Sequence, residues 1–181
     1  MRNYNLKIKK NQTVKKYIIL HNDFFDSKNY CYRLTQPNAS LELCIMLLGR
    51  KKHSMKIQIN VIHEAPRTKS FIRFRSALFD NFHLEAIGRV IIEKNAPGSE
   101  TFLEMRSLLF GDKSKARIDP ILDIQNNNVK ASHAAAIGRI SEEDIFYLRS
   151  RGFSKKQAEK IFLKEYFMPV ESPTFVKPAC R

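Results

Sequence analysis

The chain has 181 residues, enough for one domain with its own core, and its hydrophobic fraction of 43% excludes a disordered chain. Its formal net charge is +14, which would attract polyanions, and no apolar run reaches the roughly 18 residues that a membrane span needs. Three widely spaced cysteines, Cys31, Cys44 and Cys180, argue against a disulfide framework and against a metal site built on C-x-x-C pairs.

The first predicted elements follow a basic beginning. Residues 1–16 are predicted to be a polar, basic lead-in, and because they contain no apolar signal-peptide segment we expect a cytoplasmic protein. Residues 17–20 form the first predicted strand and residues 41–48 the next. Residues 22–29 between them are predicted to be a polar loop.

Regular alternation of apolar and polar residues begins near residue 56. It recurs in a series of segments separated by turn-forming residues, at 57–61, 72–78, 84–92, 103–109, 118–124 and 129–137. A period of two is typical of half-buried strands, and no helical pattern intervenes. The sequence therefore predicts a β core over residues 17–140.

Three all-β architectures fit this pattern: a sandwich, a barrel and a stacked parallel coil. Two features favour the coil. Small polar turns recur without the Asn-Gly signal of a two-residue hairpin, and the three asparagines at 126–128 could stack their amides along a corner. The sequence contains no strict repeat that would decide between the three.

The pattern becomes helical at Ser141. Three acidic residues follow this predicted N-cap, and Gly152 is suited to the residue after the helix. A capping box beginning at Ser154 predicts a second helix. We therefore expect a helical hairpin over residues 141–169 and a loose tail over 170–181.

The candidate chemistry is sparse. No nucleotide-binding or nucleophile motif is present, so we expect no enzyme activity. Neighbouring His63 and Glu64 should point to opposite faces of a strand. His133 falls in the inward phase of the last predicted strand, where we expect its imidazole to be partly shielded. It is either a structural histidine, or a metal ligand or an electron- or proton-handling group shared with a partner chain.

The region from Arg106 to Gly152 resembles the C-terminal core of the SufB/SufD family of iron–sulfur cluster assembly proteins. The resemblance rests on SLLFGDK (107–113), NVKASH (128–133) and EEDIFYLRSRG (142–152), with HEAPRTKS (63–70) and GRV (88–90) upstream. It covers roughly residues 41–168.

The resemblance implies a mainly β fold, a shortened right-handed parallel β-helix with a C-terminal two-helix hairpin. It implies pairing with a SufB-type β-helix subunit, or with a second copy, through the strand that carries His133, which would be a metal-ligating residue shared with that partner. It also implies docking of a SufC-type ABC ATPase on the hairpin, at Ile145, Phe146, Tyr147, Arg149, Arg151 and Phe162. A transient iron–sulfur cluster would form in the complex, with no cofactor held stably by this chain alone.

Departures from the family pattern refine this expectation. Met105 and Ala134 stand where SufB carries a functional cysteine and a glutamate, and Ala131 stands where SufD commonly has a cysteine. The chain is thus closer to SufD and is predicted to be a non-catalytic subunit. Two alternatives remain: a self-pairing SufB/SufD replacement that holds a nascent cluster through Cys44 or His133, and a basic nucleic-acid-binding β protein. A membrane is not an expected partner.

Overall fold

The protein is a parallel β-solenoid followed by two helices. A computed structural model describes residues 2–21, 26–110 and 112–171. The solenoid makes about five turns, and all of its described strand pairs are parallel. The structure therefore confirms the predicted mainly β class and, of the three candidate architectures, the stacked parallel coil. It also confirms the C-terminal pair of helices.

Each turn contributes one strand to each of two sheets. The elements are β1 (Arg2–Ile8), β2 (Thr13–His21), β3 (Ser27–Leu34), β4 (Ser40–Gly49), β5 (His53–His63), β6 (Lys69–Leu78), β7 (Phe82–Ile92), β8 (Ser99–Phe110), β9 (Lys115–Ile124), β10 (Val129–Ile140), α1 (Glu142–Ser150) and α2 (Lys155–Glu171). Sheet A has the order β1-β3-β5-β7-β9, and sheet B has the order β2-β4-β6-β8-β10.

Regular structure begins earlier than predicted. Residues 2–8 and 13–21 lie in strands, so the predicted lead-in over 1–16 is wrong for residues 2–8 and 13–16. Leu6 and Ile8 already face the core, Asn5 and Lys7 lie in the opposite phase, and β1 pairs with β3 along its whole length. β3 also begins inside the predicted loop at 22–29, of which residues 22–25 lie outside the described residues.

The core lies between the two sheets and is built from columns of equivalent residues. One column contains Leu43, Ile72 and Leu103 on β4, β6 and β8, each exposed by 1% or less. Removing a leucine or isoleucine side chain from water stabilises the fold by about 1.5–3 kcal/mol. Burial in stacked columns is therefore the main stabilising term of the solenoid.

One corner of the solenoid repeats a left-handed backbone conformation on its first four turns. Asn11, Asn38, Arg67 and Gly98 have φ of 54°, 60°, 55° and 71°. Asn38 Nδ2 donates to Asn11 Oδ1 at 3.0 Å, and Arg67 Nε donates to Asn38 Oδ1 at 3.0 Å. Amides therefore stack at this corner, whereas Asn126 donates instead to a backbone carbonyl of the preceding turn.

The helices form a separate compact unit. The chain divides into Met1–Ser141 and Glu142–Arg181, and within the second unit α2 extends two residues beyond the predicted end at 169. Residues 172–181 of the predicted tail, with Cys180, lie outside the described residues. Neither described helix is long and apolar enough to cross a membrane.

Candidate functional site

The last turn of the solenoid, β9 and β10, ends both sheets among the described strands. Among the described residues, β10 pairs with β8 alone and β9 pairs with β7 alone. The outer edge of each strand therefore presents backbone N–H and C=O groups that could pair with another chain.

His133 lies at the end of a buried column. It is opposite Leu103 on β8, which is itself opposite Ile72 on β6. The predicted inward phase of His133 is thus confirmed by the strand register. The predicted shielding is wrong, because His133 is exposed: within the described part of the chain no further strand covers β10.

The inward positions beside His133 are apolar and accessible. Ile137 on β10 is 47% exposed and Ile124 on β9 is 39% exposed, although both continue columns that are buried in earlier turns. We use the name open end for seven of the inward residues of the last turn, namely Ile118, Leu122, Ile124, Ala131, His133, Ala135 and Ile137. Core-type side chains on an accessible sheet edge indicate a docking surface.

The structure does not bring Cys44 to His133. Cys44 lies on β4, with β6 and β8 between it and β10, in an outward column with Arg73 and Glu104 that ends at Ala134. Burial raises the pKa of the Cys44 thiol to about 11, so at neutral pH it is protonated and a poor metal ligand.

A metal site within the described residues would need other ligands. Cys31 lies on β3 in the opposite sheet, and Cys180 lies outside the described residues. Across the described ranges no group of three or more His, Cys, Asp or Glu residues is placed to hold a metal ion. His133 could therefore contribute one ligand to a site whose remaining ligands come from another chain.

The helical hairpin exposes much of its predicted docking surface. Phe146 is 68% and Tyr147 59% exposed, and Arg149 and Arg151 are also exposed. The guanidinium carbon of Arg151 lies 5.4 Å from the centre of the Tyr147 ring, an arrangement that favours a cation–π contact. Ile145 and Phe162, predicted for the same surface, are half-buried.

The ends of the helices are set by local hydrogen bonds. Gly152, at φ 92°, follows α1, and the amides of Gly152 and Phe153 donate to carbonyls of its last turn. The predicted capping box is confirmed, since Ser154 N donates to Gln157 Oε1 at 2.7 Å and Gln157 N donates to Ser154 Oγ at 3.3 Å. These caps hold the connector between the helices in one conformation.

A buried polar ladder was missed by the sequence reasoning. His63 Nδ1 lies 2.7 Å from Thr68 Oγ1, and His63 Nε2 lies 2.9 Å from Ser70 Oγ. The next turn continues both contacts, with Thr68 Oγ1 2.8 Å from Ser99 Oγ and Ser70 Oγ 2.6 Å from Thr101 Oγ1. Burial lowers the pKa of His63 to about 4, so the imidazole is neutral at pH 7. The ladder stabilises the corner beside the core.

A second unpredicted cluster surrounds a buried carboxylate on the outer face of sheet B. Arg73 Nε and Arg106 Nε lie 2.7 and 2.8 Å from Glu104 oxygens, and Arg75 Nη2 lies 3.6 Å away. Glu104 is 5% exposed. Part of the positive charge is therefore held in structural ion pairs rather than on a free polyanion-binding surface.

Comparison with known proteins connects this geometry to a family. A family model described as SUF system FeS cluster assembly, SufBD core domain, matches residues 1–166. An iron–sulfur cluster assembly SufBD family protein of Mycobacterium leprae is 30% identical over 75% of this chain and 36% of its own length.

Two proteins of Bacillus subtilis are also similar. Its iron–sulfur cluster assembly protein SufB is 30% identical over 77% of this chain and 30% of its own length. Its iron–sulfur cluster assembly protein SufD is 28% identical over 69% of this chain and 29% of its own length. The chain spans about a third of the length of these relatives, and the two identities do not distinguish SufB from SufD.

Proposed function

The chain belongs to the SufB/SufD family of iron–sulfur cluster assembly proteins, and from that membership we propose that it is a SufD-like, non-catalytic subunit of a cytoplasmic SUF complex. In this proposal the open end pairs with the β-solenoid of a SufB-type subunit. The exposed residues of the helical hairpin dock a SufC-type ABC ATPase.

The open end is the observation that carries the pairing proposal. Ile124 and Ile137 are exposed although they occupy core columns, and the edges of β9 and β10 have no partner strand among the described residues. A second solenoid would extend both sheets and bury these side chains, each contributing up to about 1.5–3 kcal/mol. A parallel solenoid of the same family has the matching strand spacing.

The residues around His133 support an assisting role rather than that of a scaffold. Met105 and Ala134 carry neither a thiolate nor a carboxylate, Met105 is fully buried, and Ala134 lies on the outer face of sheet B. His133 then provides one nitrogen to a transient cluster at the interface, and the partner provides the remaining ligands. The alternative of a self-pairing cluster holder is disfavoured, because Cys44 is buried and protonated and lies on the opposite face of sheet B from His133.

The hairpin offers the side-chain types that dominate binding energy at protein interfaces. Phe146, Tyr147, Arg149 and Arg151 are exposed on or next to α1, and aromatic residues and arginine are the usual hot spots of such surfaces. The two capped helices present these residues on a short, defined element.

Co-purification with both partners tests the proposal. The full-length chain is expressed with a SufB-type subunit and a SufC-type ATPase from the same genome, in wild-type form and as Ile137→Lys and Phe146→Ala variants. We expect Ile137→Lys to lose the SufB-type subunit and keep the ATPase, and Phe146→Ala to do the reverse. Failure of the wild-type chain to retain either partner would contradict the proposal, as would loss of the same partner by both variants.

Anaerobic reconstitution separates this role from the cluster-holding alternative. With iron and sulfide, the lone chain should show no visible absorbance of an iron–sulfur cluster. A stable brown protein whose absorbance disappears in a His133→Ala variant would instead favour the self-pairing cluster holder.

A further inference from the structure

The core column that has His133 at one end has a second ionisable residue, Lys16, at the other end. On β2, Lys16 is opposite Leu43, which starts the buried series of Leu43, Ile72 and Leu103. Lys16 and His133 therefore occupy equivalent inward positions at the two ends of the same core column.

The orientation of Lys16 is unusual for its strand. Its inward neighbours Val14 and Ile18 are partly buried and pack against the core, whereas Lys16 is exposed. The adjacent Lys15 points outward and pairs with Glu42, with 3.0 Å between Nζ and Oε2. One of two consecutive lysines therefore lies where the core pattern would place an apolar residue.

Both ends of the solenoid carry excess positive charge. Residues 1–21 contain Arg2, Lys7, Lys9, Lys10, Lys15 and Lys16 and no acidic residue. The last turn, over β9 and β10, carries Lys115, Arg117, Lys130 and Arg139 against Asp119 and Asp123. Stacking the open end of one copy on the β1–β2 end of another would bring like charges together.

We infer that Lys16 closes the β1–β2 end to solenoid stacking, so that a second copy cannot dock its open end there and assembly stops at a pair. The inference rests on the proposed pairing through the open end. In-register stacking would bury the Lys16 ammonium against His133, and an unpaired buried charge is strongly unfavourable. An inward-pointing charge on an edge strand is a known protection against edge-to-edge association, and head-to-tail contact would otherwise propagate into filaments.

Sedimentation velocity of the full chain over a range of concentrations tests this inference. The variants are Lys16→Leu and, as a matched control, Lys15→Leu, which removes the same charge one residue away but on the outer face. We expect Lys16→Leu to shift with concentration to species larger than a pair. We expect Lys15→Leu to sediment like the wild-type chain. Circular dichroism establishes that each variant keeps its β structure.

A double variant, Lys16→Leu with Ile137→Lys, identifies the surface that the new contact uses. Loss of the larger species in this double variant supports stacking of the open end on the β1–β2 end. Persistence of the larger species would overturn that assignment. The inference would also be overturned if Lys16→Leu sedimented like the wild type or if Lys15→Leu grew equally. A separate measurement shows whether the proposed pairing itself fails. In that case Ile137→Lys alone would leave binding of the SufB-type subunit unchanged.

Discussion

The inner turns and the last turn of the solenoid use the same columns with opposite results. Leu103 on β8 and His133 on β10 are register partners, yet the first is fully buried and the second is exposed. Ser107 and Ile137 differ in the same way, so that the polar residue is buried and the apolar one is accessible. In a solenoid, burial depends on having a strand on both sides, and the inward phase alone does not provide it.

The largest effect on stability is expected from alanine substitutions that truncate one side chain in each region. Leu103→Ala should lower the free energy of unfolding by about 2–5 kcal/mol, because a fully buried leucine leaves a cavity. Ile137→Ala, on the last turn, should cost less than about 1 kcal/mol in the lone chain. Urea denaturation followed by circular dichroism measures both. Equal losses for the two variants would show that the last turn is covered in solution.

The inner turns contain a buried histidine, His63, that makes the stability of the fold depend on pH. Burial lowers the pKa of His63 from 6.5 to about 4, so the folded state binds a proton less readily than the unfolded state. The resulting stability is fully present above pH 6.5 and is lost as the pH falls toward 4, a difference of about 3 kcal/mol.

Urea midpoints measured between pH 7 and pH 4 check this expectation. A His63→Gln variant should be less stable at pH 7 and should lose a smaller part of its stability on acidification than the wild-type chain. An unchanged pH dependence in His63→Gln would assign the effect to carboxylates instead.

Strand phase and helix ends could be predicted from the sequence because they depend on local patterns. The period of two placed His133 on the inward side, and the residues from Ser154 to Gln157 located the second helix. Exposure of His133 could not be predicted in this way. It follows from the number of turns and from the position of β10 at the edge of its sheet.

The sequence contains a three-residue repeat at one corner of the solenoid that would have predicted the parallel coil. Each of 37–39, 66–68 and 97–99 reads proline, a residue with positive φ, and a small residue that is fully or almost fully buried. The left-handed residue turns the corner, and the small residue fits beneath the next turn. This spacing would have predicted the parallel coil and the Thr68–Ser99 hydroxyl pair of the polar ladder. A search for identical residues does not find this repeat, because its middle residue differs at each occurrence: Asn38, Arg67 and Gly98.

The smallest effect on stability is expected from alanine substitution of a strand glycine on the last turn, and a strand glycine of the inner turns provides the comparison. A Cβ at Gly49 on β4 would lie 2.8 Å from two ring carbons of Phe82, which is fully buried, so Gly49→Ala should destabilise the fold by about 1–3 kcal/mol through overpacking. A Cβ at Gly138 on β10 would meet Leu108 Cδ1 at 3.7 Å, an ordinary contact on an exposed strand. Gly138→Ala should therefore change stability by less than about 0.5 kcal/mol in the lone chain.

Association with a SufB-type subunit tests whether a partner packs against the backbone at Gly138. If Gly138→Ala leaves the melting temperature of the chain unchanged but weakens this association, the partner lies close to β10 at this position. If neither property changes, pairing does not bring the partner close to the backbone at Gly138.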